Sequence, residues 1–198
     1  MAVECRVAAG LVTRLTAASL LLMPGAVSAQ APPAMLATCA ACHGPGGNSQ
    51  IAQTPSLAGQ PKLFVENQLV LIREGLRDVP QMKSLMAGLS DETIIALAQH
   101  FAALAPAPKA LPVNQERVRL GAATASKMLC GTCHLPDYTG QKQVPRLAGQ
   151  DEAYLLESMK QFRDNPGPGR DTIMSASLYG LSDADLTNLA HYLATVRP

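Results

Sequence analysis

Apolar positions along this chain recur at helical spacing, and no segment alternates convincingly as a strand would. Beyond residue 90, Ile94, Ile95, Ala98, Phe101 and Ala102 form one stripe; beyond residue 182, Leu186, Leu189, Ala190 and Leu193 form another. Ser90 and Ser182 stand where N-caps belong, and Asp185 follows Ser182 at capping-box spacing. Two more helices are predicted over about 61–74 and 151–164, ending before Gly75 and Pro166. A further helix from Glu116 to Leu129 contains Gly121, where a terminal helix can cross closely against Tyr192. The predicted class is all-α.

These elements come in two sets. Pro55-Ser56-Leu57-Ala58-Gly59-Gln60 is answered by Pro145-Arg146-Leu147-Ala148-Gly149-Gln150, identical at five of six positions. At offsets of 90–92 residues, Phe64 answers Tyr154, Arg73 answers Arg163, and Leu89-Ser90-Asp91 answers Leu181-Ser182-Asp183. Residues 105–112 (APAPKALP) separate the sets, and their alternating prolines deny helix and favour an extended linker. The expected domains are 30–104 and 113–198. Only nine residues, 30–38, precede Cys39 once residues 1–29 are removed, two of them prolines, so the leading helix of domain one is expected to be stunted.

Residues 1–29 have the pattern of an export signal. Arg6 and Arg14 precede an apolar stretch from Leu15 to Val27, and Val27-Ser28-Ala29 fits a small-residue cleavage site. At about 13 residues, with Thr16, Ser19 and Pro24 inside it, the stretch falls short of the roughly 20 apolar residues of a membrane span. Cleavage after Ala29 is expected, and with it a periplasmic location.

Composition then narrows the function. Of 198 residues, 16 are Lys or Arg and 15 are Asp or Glu, and loss of Arg6, Arg14 and Glu4 with the signal leaves the charges balanced. Such a chain lacks the dense basic surface of a nucleic-acid binder. With no Trp, three Phe and four Tyr, two small domains need another bulky apolar filler.

The cysteines supply it. Four of the five lie in the pentads Cys39-Ala40-Ala41-Cys42-His43 and Cys130-Gly131-Thr132-Cys133-His134. C-x-x-C-H is the attachment pattern of c-type haem: two thiols on one helical turn bond the porphyrin edge, and the adjacent His takes the iron. A thioredoxin-like site lacks its βαβ context, a four-cysteine zinc site leaves both histidines unexplained, and disulfides make the histidines coincidental. Two covalent haem c groups are expected, with His43 and His134 as iron ligands.

An electron-transfer haem needs a sixth ligand, usually Met or His. Met82 and Met174 lie seven residues before the Leu of each Leu-Ser-Asp, and 39 and 40 residues after their histidines, in stretches read as irregular. They are the expected axial ligands. Met86 is the rival of Met82, but its repeat counterpart is Leu178. Met35, Met128 and Met159 read as packing, and His100 and His191 as surface or interface residues. The Pro55 and Pro145 carbonyls are candidates to accept the other N–H of each iron-binding histidine, against the plainer reading of loop prolines. Leu57 and Leu147 are expected to pack on the haem edge.

Together the two pentads, the Pro-x-Leu-Ala-Gly-Gln segments, the Tyr154-to-Arg163 helix and the Met-to-Leu-Ser-Asp spacing resemble the dihaem cytochrome c4 family of class I c-type cytochromes, over residues 36–198. The resemblance implies two tandem cytochrome c domains facing each other, His/Met ligation, and one-electron transfer in the bacterial periplasm. Expected partners are redox proteins: a donor dehydrogenase or bc1-type complex, and a terminal oxidase or other acceptor. Any membrane association is expected to be peripheral, through a partner. A permanent electron-transfer subunit of a dehydrogenase complex is the alternative. A dihaem enzyme of peroxidase or thiosulfate dehydrogenase type fits less well, since no spare His has an acid/base motif and no further thiol follows the signal. No catalytic residues are expected.

Overall fold

The computed structural model describes Met1, residues 31–107 and residues 109–197; residues 2–30, where an export signal and its cleavage point are expected, Pro108 and Pro198 lie outside the described residues. Among the described residues there are nine α-helices and no strand beyond one isolated bridge, Gln141 to Val144. The first half contains α1 (Pro33–His43), α2 (Lys62–Arg73), α3 (Pro80–Met86) and α4 (Asp91–Ala102). The second contains α5 (Gln115–Lys127), α6 (Cys130–His134), α7 (Glu152–Asp164), α8 (Thr172–Leu178) and α9 (Asp183–Thr195). None of the described helices is long and apolar enough to cross a membrane.

Two separate apolar cores form, one in each repeat. Val65, Leu69, Ile72, Met86, Ile94, Leu97, Ala98 and Phe101 are buried together in the first. Leu155, Met159, Leu178, Leu186, Leu189, Ala190 and Leu193 are buried together in the second. The stripe on α4 differs from expectation: Ile95 is 46% exposed, and Ala96 and Leu97 face inward with Ile94.

Local chemistry starts the helices. Ser90 Oγ accepts from Thr93 N–H, while Ser182 and Asp185 close a reciprocal capping box. Arg73 donates to the Leu89 carbonyl and to Asp91, and Arg163 does the same to Leu181 and Asp183. This is the purpose of the repeated Leu-Ser-Asp: an arginine on the preceding long helix pins the start of the last one.

The methionine segments are not irregular. Met82 and Met174 lie on the seven-residue helices α3 and α8, started by Pro80 in the first turn and by Asp171, whose carboxylate accepts from Met174 N–H. In domain two, α5 ends at Lys127 and Leu129 turns left-handed at φ 57°, the cap position usually given to glycine. Helices α5 and α9 form the most extensive helix pairing among the described residues. A Cβ on Gly121 would sit 2.6 Å from Tyr192 Cβ and closer still to the Asn188 carbonyl, so only glycine permits this crossing. Helix α1, beginning at residue 33, makes no comparable crossing with α4.

His191 is not a surface or interface residue. It is 2% exposed, accepts from Asn114 N–H at Nε2, and pairs through Nδ1 with Glu152 at 2.9 Å. The ring joins the starts of α5 and α7 to α9, and both partners lie far from it in sequence.

Candidate haem sites

Each pentad closes on its own domain core. Cys39, Leu57 and Met82 are partly buried and pack against the first core; Cys130, Leu147 and Met174 pack against the second. Cys42 and Cys133 lie one turn further on and are exposed. Residues far apart in the chain thus meet around one apolar cluster, in the same combination twice. Met86 lies deeper: it is 2% exposed within the first core, as its counterpart Leu178 is within the second.

The histidines are held in one orientation. His43 Nδ1 lies 2.8 Å from the Pro55 carbonyl and His134 Nδ1 lies 2.9 Å from the Pro145 carbonyl, so each ring donates there and keeps Nε2 as its lone-pair nitrogen. No protein group among the described residues bonds either Nε2. Burial pulls both imidazoles below their ordinary range, with the carbonyl acceptors restoring part of the shift. They are therefore neutral near pH 7, the form that binds a metal.

The proline carbonyls are themselves fixed by the loops around them. Gly47 O accepts from Leu57 and Ala58 N–H, and its equivalent Tyr138 O accepts from Leu147 and Ala148 N–H. Gly59 N–H reaches Phe101 O on α4, and Gly149 N–H reaches Leu193 O on α9. The repeated Leu-Ala-Gly is thus a strap that ties the histidine's acceptor to the last helix.

The thiols lack the electrostatic setting of a redox pair. All four are free, and burial pushes Cys39 and Cys130 up, opposite to the depressed thiols of thioredoxin-like sites. No group of three or more His, Cys, Asp or Glu gathers among the described residues, so the zinc reading has no cage. Two thiols one helical turn apart, a neutral imidazole with an open Nε2, and a thioether on the same apolar cluster fit a covalently attached haem. One further group fits it. Arg146 is 2% exposed, and among the described residues its side chain donates only to the Ala148 and Ala58 carbonyls, with Nε unpartnered and no carboxylate among its partners. Desolvation brings its guanidinium down to about 10, and an anionic group beside it would stabilise this buried cation. Its repeat counterpart is the neutral Ser56.

Neither residue type nor spacing singles out Arg146 or the glutamines of the repeated segments. The five-of-six identity around them was the available signal, because it includes positions with no evident role inside one domain.

Comparison with known proteins identifies relatives of both halves of the chain. The cytochrome c family model matches residues 118–197, and the model described as cytochrome c oxidase, cbb3-type, subunit III matches residues 30–101. A cytochrome c4 of Pseudomonas aeruginosa is 32% identical over 181 residues, covering 87% of this chain and 90% of its own. A thiosulfate dehydrogenase electron acceptor of Thiomonas intermedia is 32% identical over 177 residues, covering 84% of this chain and 81% of its own. The crystal structure of reduced cytochrome c4 from Pseudomonas stutzeri superposes with a TM-score of 0.76 at 27% identity, covering 83% of this chain and 96% of that one.

Proposed function

Because the chain belongs to the dihaem cytochrome c4 family, we propose that it is a periplasmic carrier that passes single electrons from a respiratory or dehydrogenase donor to a terminal oxidase or other acceptor. It is a c-type cytochrome with two cytochrome c domains, and its two covalently bound haem c groups supply the one-electron couples. The domains are assigned to 30–104 and 113–198, joined by 105–112 and preceded by a signal cleaved after Ala29.

The observation that carries the reading is the twofold recurrence of one constellation: paired thiols, a neutral imidazole held by a proline carbonyl, and a methionine, all around one apolar core. Cys39, Cys42, Cys130 and Cys133 form the thioethers. His43 and His134 would hold the iron through Nε2, and Met82 and Met174 would hold it through their sulfur. The Pro55 and Pro145 carbonyls hold each imidazole so that its tautomer does not change between oxidation states. Leu57, Leu147 and the surrounding cores exclude water, and Arg146 is the counter-ion of a propionate. With His and Met both taken up by the iron, a substrate would have to displace the methionine, which fits electron transfer rather than catalysis.

The test is haem quantification with an optical spectrum of the purified holoprotein. Two haems per chain, both low-spin with the long-wavelength Met-to-iron band, are expected. One haem, or a high-spin ferric form without that band, overturns the reading. The relative named as a thiosulfate dehydrogenase electron acceptor supports a second reading, in which the donor is such a dehydrogenase. Rapid-mixing reduction by a thiosulfate dehydrogenase, compared with reduction by a bc1-type complex, decides between the donors.

A further inference from the structure

Gln60 and Gln150 end the two Pro-x-Leu-Ala-Gly-Gln segments and are buried at 3% and 2% exposure. Each reaches into the opposite domain. Gln150 Oε1 accepts from Ser56 N–H at 2.7 Å, and its Nε2 donates to the Ser56 carbonyl at 2.9 Å. Gln60 treats Arg146 identically, accepting from its N–H and donating to its carbonyl, both at 3.0 Å. Ser56 and Arg146 are repeat equivalents, so the two domains exchange glutamines about a pseudo-two-fold axis.

The residues they grip are the ones that follow the histidine-holding prolines. Ser56 N–H is the other end of the peptide group whose carbonyl accepts from His43, and Arg146 N–H is the other end of the one that accepts from His134. Two buried relays result: imidazole N–H to peptide carbonyl, then peptide N–H to the glutamine of the opposite domain. Such linked hydrogen bonds polarise one another by roughly 10–30% per bond. An acceptor on the peptide N–H strengthens the carbonyl as an acceptor, and a stronger acceptor makes the imidazole a better donor to its metal. Satisfying buried backbone groups explains why some partner is present. It does not require that the partner sit, in both domains, on the peptide that holds the histidine.

We infer that Gln60 and Gln150 are positioning residues that tune, each from its own domain, the proximal histidine of the other, so that the reduction potential of each haem depends on the docking of the opposite domain. This rests on the histidine ligation proposed above.

The test is an NMR redox titration of the full-length holoprotein, following each haem through its own domain's resonances, with Gln150→Met and Gln60→Met. Both substitutions keep length and remove the acceptor. A weaker carbonyl acceptor favours the ferrous form, so Gln150→Met should raise the potential of the domain-one haem. The expected size is about threefold in its reduced-to-oxidised ratio, or about 30 mV for one electron, with the domain-two haem unmoved. Gln60→Met should do the reverse. A shift confined to the substituted domain, an equal shift of both haems, or no shift overturns the inference; an equal lowering is the signature of water entering a loosened interface. In the unaltered holoprotein, the Ser56 and Arg146 amide protons should exchange as slowly as helix-core amides, and fast exchange refutes the relay even if the variants fail to fold. The optical spectrum of the unaltered protein reports haem count and Met ligation separately, so failure of the ligation reading is distinguishable from failure of the relay.

Discussion

Truncating the two rival methionines of domain one should give opposite results. Met86 is 2% exposed inside the domain-one core, where Leu178 does the same packing in domain two. Met86→Ala leaves a cavity, for which buried Met-to-Ala changes cost about 2–5 kcal/mol. In a domain of this size each kcal/mol lowers the melting temperature by about 4–8 °C, so the midpoint should fall by about 10 °C or more. Met86→Leu copies the second repeat and should cost less than about 1.5 kcal/mol. Neither should touch the Met-to-iron band. Met82 is partly buried and packs against the same core, as Cys39 and Leu57 do. Met82→Ala should remove roughly half of the band, leaving the share due to Met174, and make one haem high-spin or open to added ligands. Circular dichroism melts and ferric spectra of the three variants read both quantities. Loss of the band in Met86→Leu with retention in Met82→Ala would refute the ligand assignment, and with it the use of repeat symmetry to make it.

Three further outcomes are expected. Gly121→Ala should lower the melting temperature of domain two despite the roughly 1 kcal/mol gain in helix propensity, because the new Cβ meets the Asn188 carbonyl and Tyr192; an unchanged or higher midpoint would show that α5 and α9 can separate without cost. Burial alone would raise the Asp151 carboxyl, but Lys109 and the N–H groups of Tyr154 and Gln53 outweigh it and hold the group below its ordinary range. The contribution of Asp151 to domain docking is therefore complete above the unfolded value of about 3.9 and lost as pH falls through the lower folded value, so small-angle scattering should show acid expansion that Asp151→Asn alters. Arg146→Gln removes a buried positive charge and should lower the potential of the haem it serves, whereas Ser56→Ala should leave potentials in place; a rise on Arg146→Gln, read by potentiometry, would contradict the counter-ion role.

What the sequence disclosed and what it concealed divide along contact range. The pentads, the serine caps and the close approach at Gly121 depend on a few neighbouring residues or a helix face, and these were readable. Helices α3 and α8 were missed because seven residues make under two turns, too few for a periodic signal. The Asp171 cap was present but had no apolar stripe behind it. The break at Leu129 carries a leucine where a glycine would announce it. His191 was misplaced because Asn114 and Glu152, 77 and 39 residues away, bury it. The glutamine exchange was concealed in the same way: repetition made Gln60 and Gln150 visible, but the residues they grip lie 86 and 94 positions away.

The two domains also do not stand on equal footing. Domain two carries its own brace, the α5–α9 crossing, with His191 locking the start of α5 and α7 to it. Domain one has no such crossing among its described residues, and its loops lean outward instead. Gln53 N–H bonds Asp151, Phe64 N–H bonds the Lys142 carbonyl, Ser56 is held by Gln150, and Arg77 reaches Tyr154. Lys109 ties the linker to Asp151, while Asn48 fastens it to domain one through Ala105 and Ala107. The surface that steadies domain one is thus the surface that contacts both histidine-holding peptides. Loosening it for any reason should disturb the fold of one domain and the electronic environment of both histidines together. That coupling gives a physical reason for two cytochrome c domains to be joined in one chain, beyond carrying two electrons instead of one.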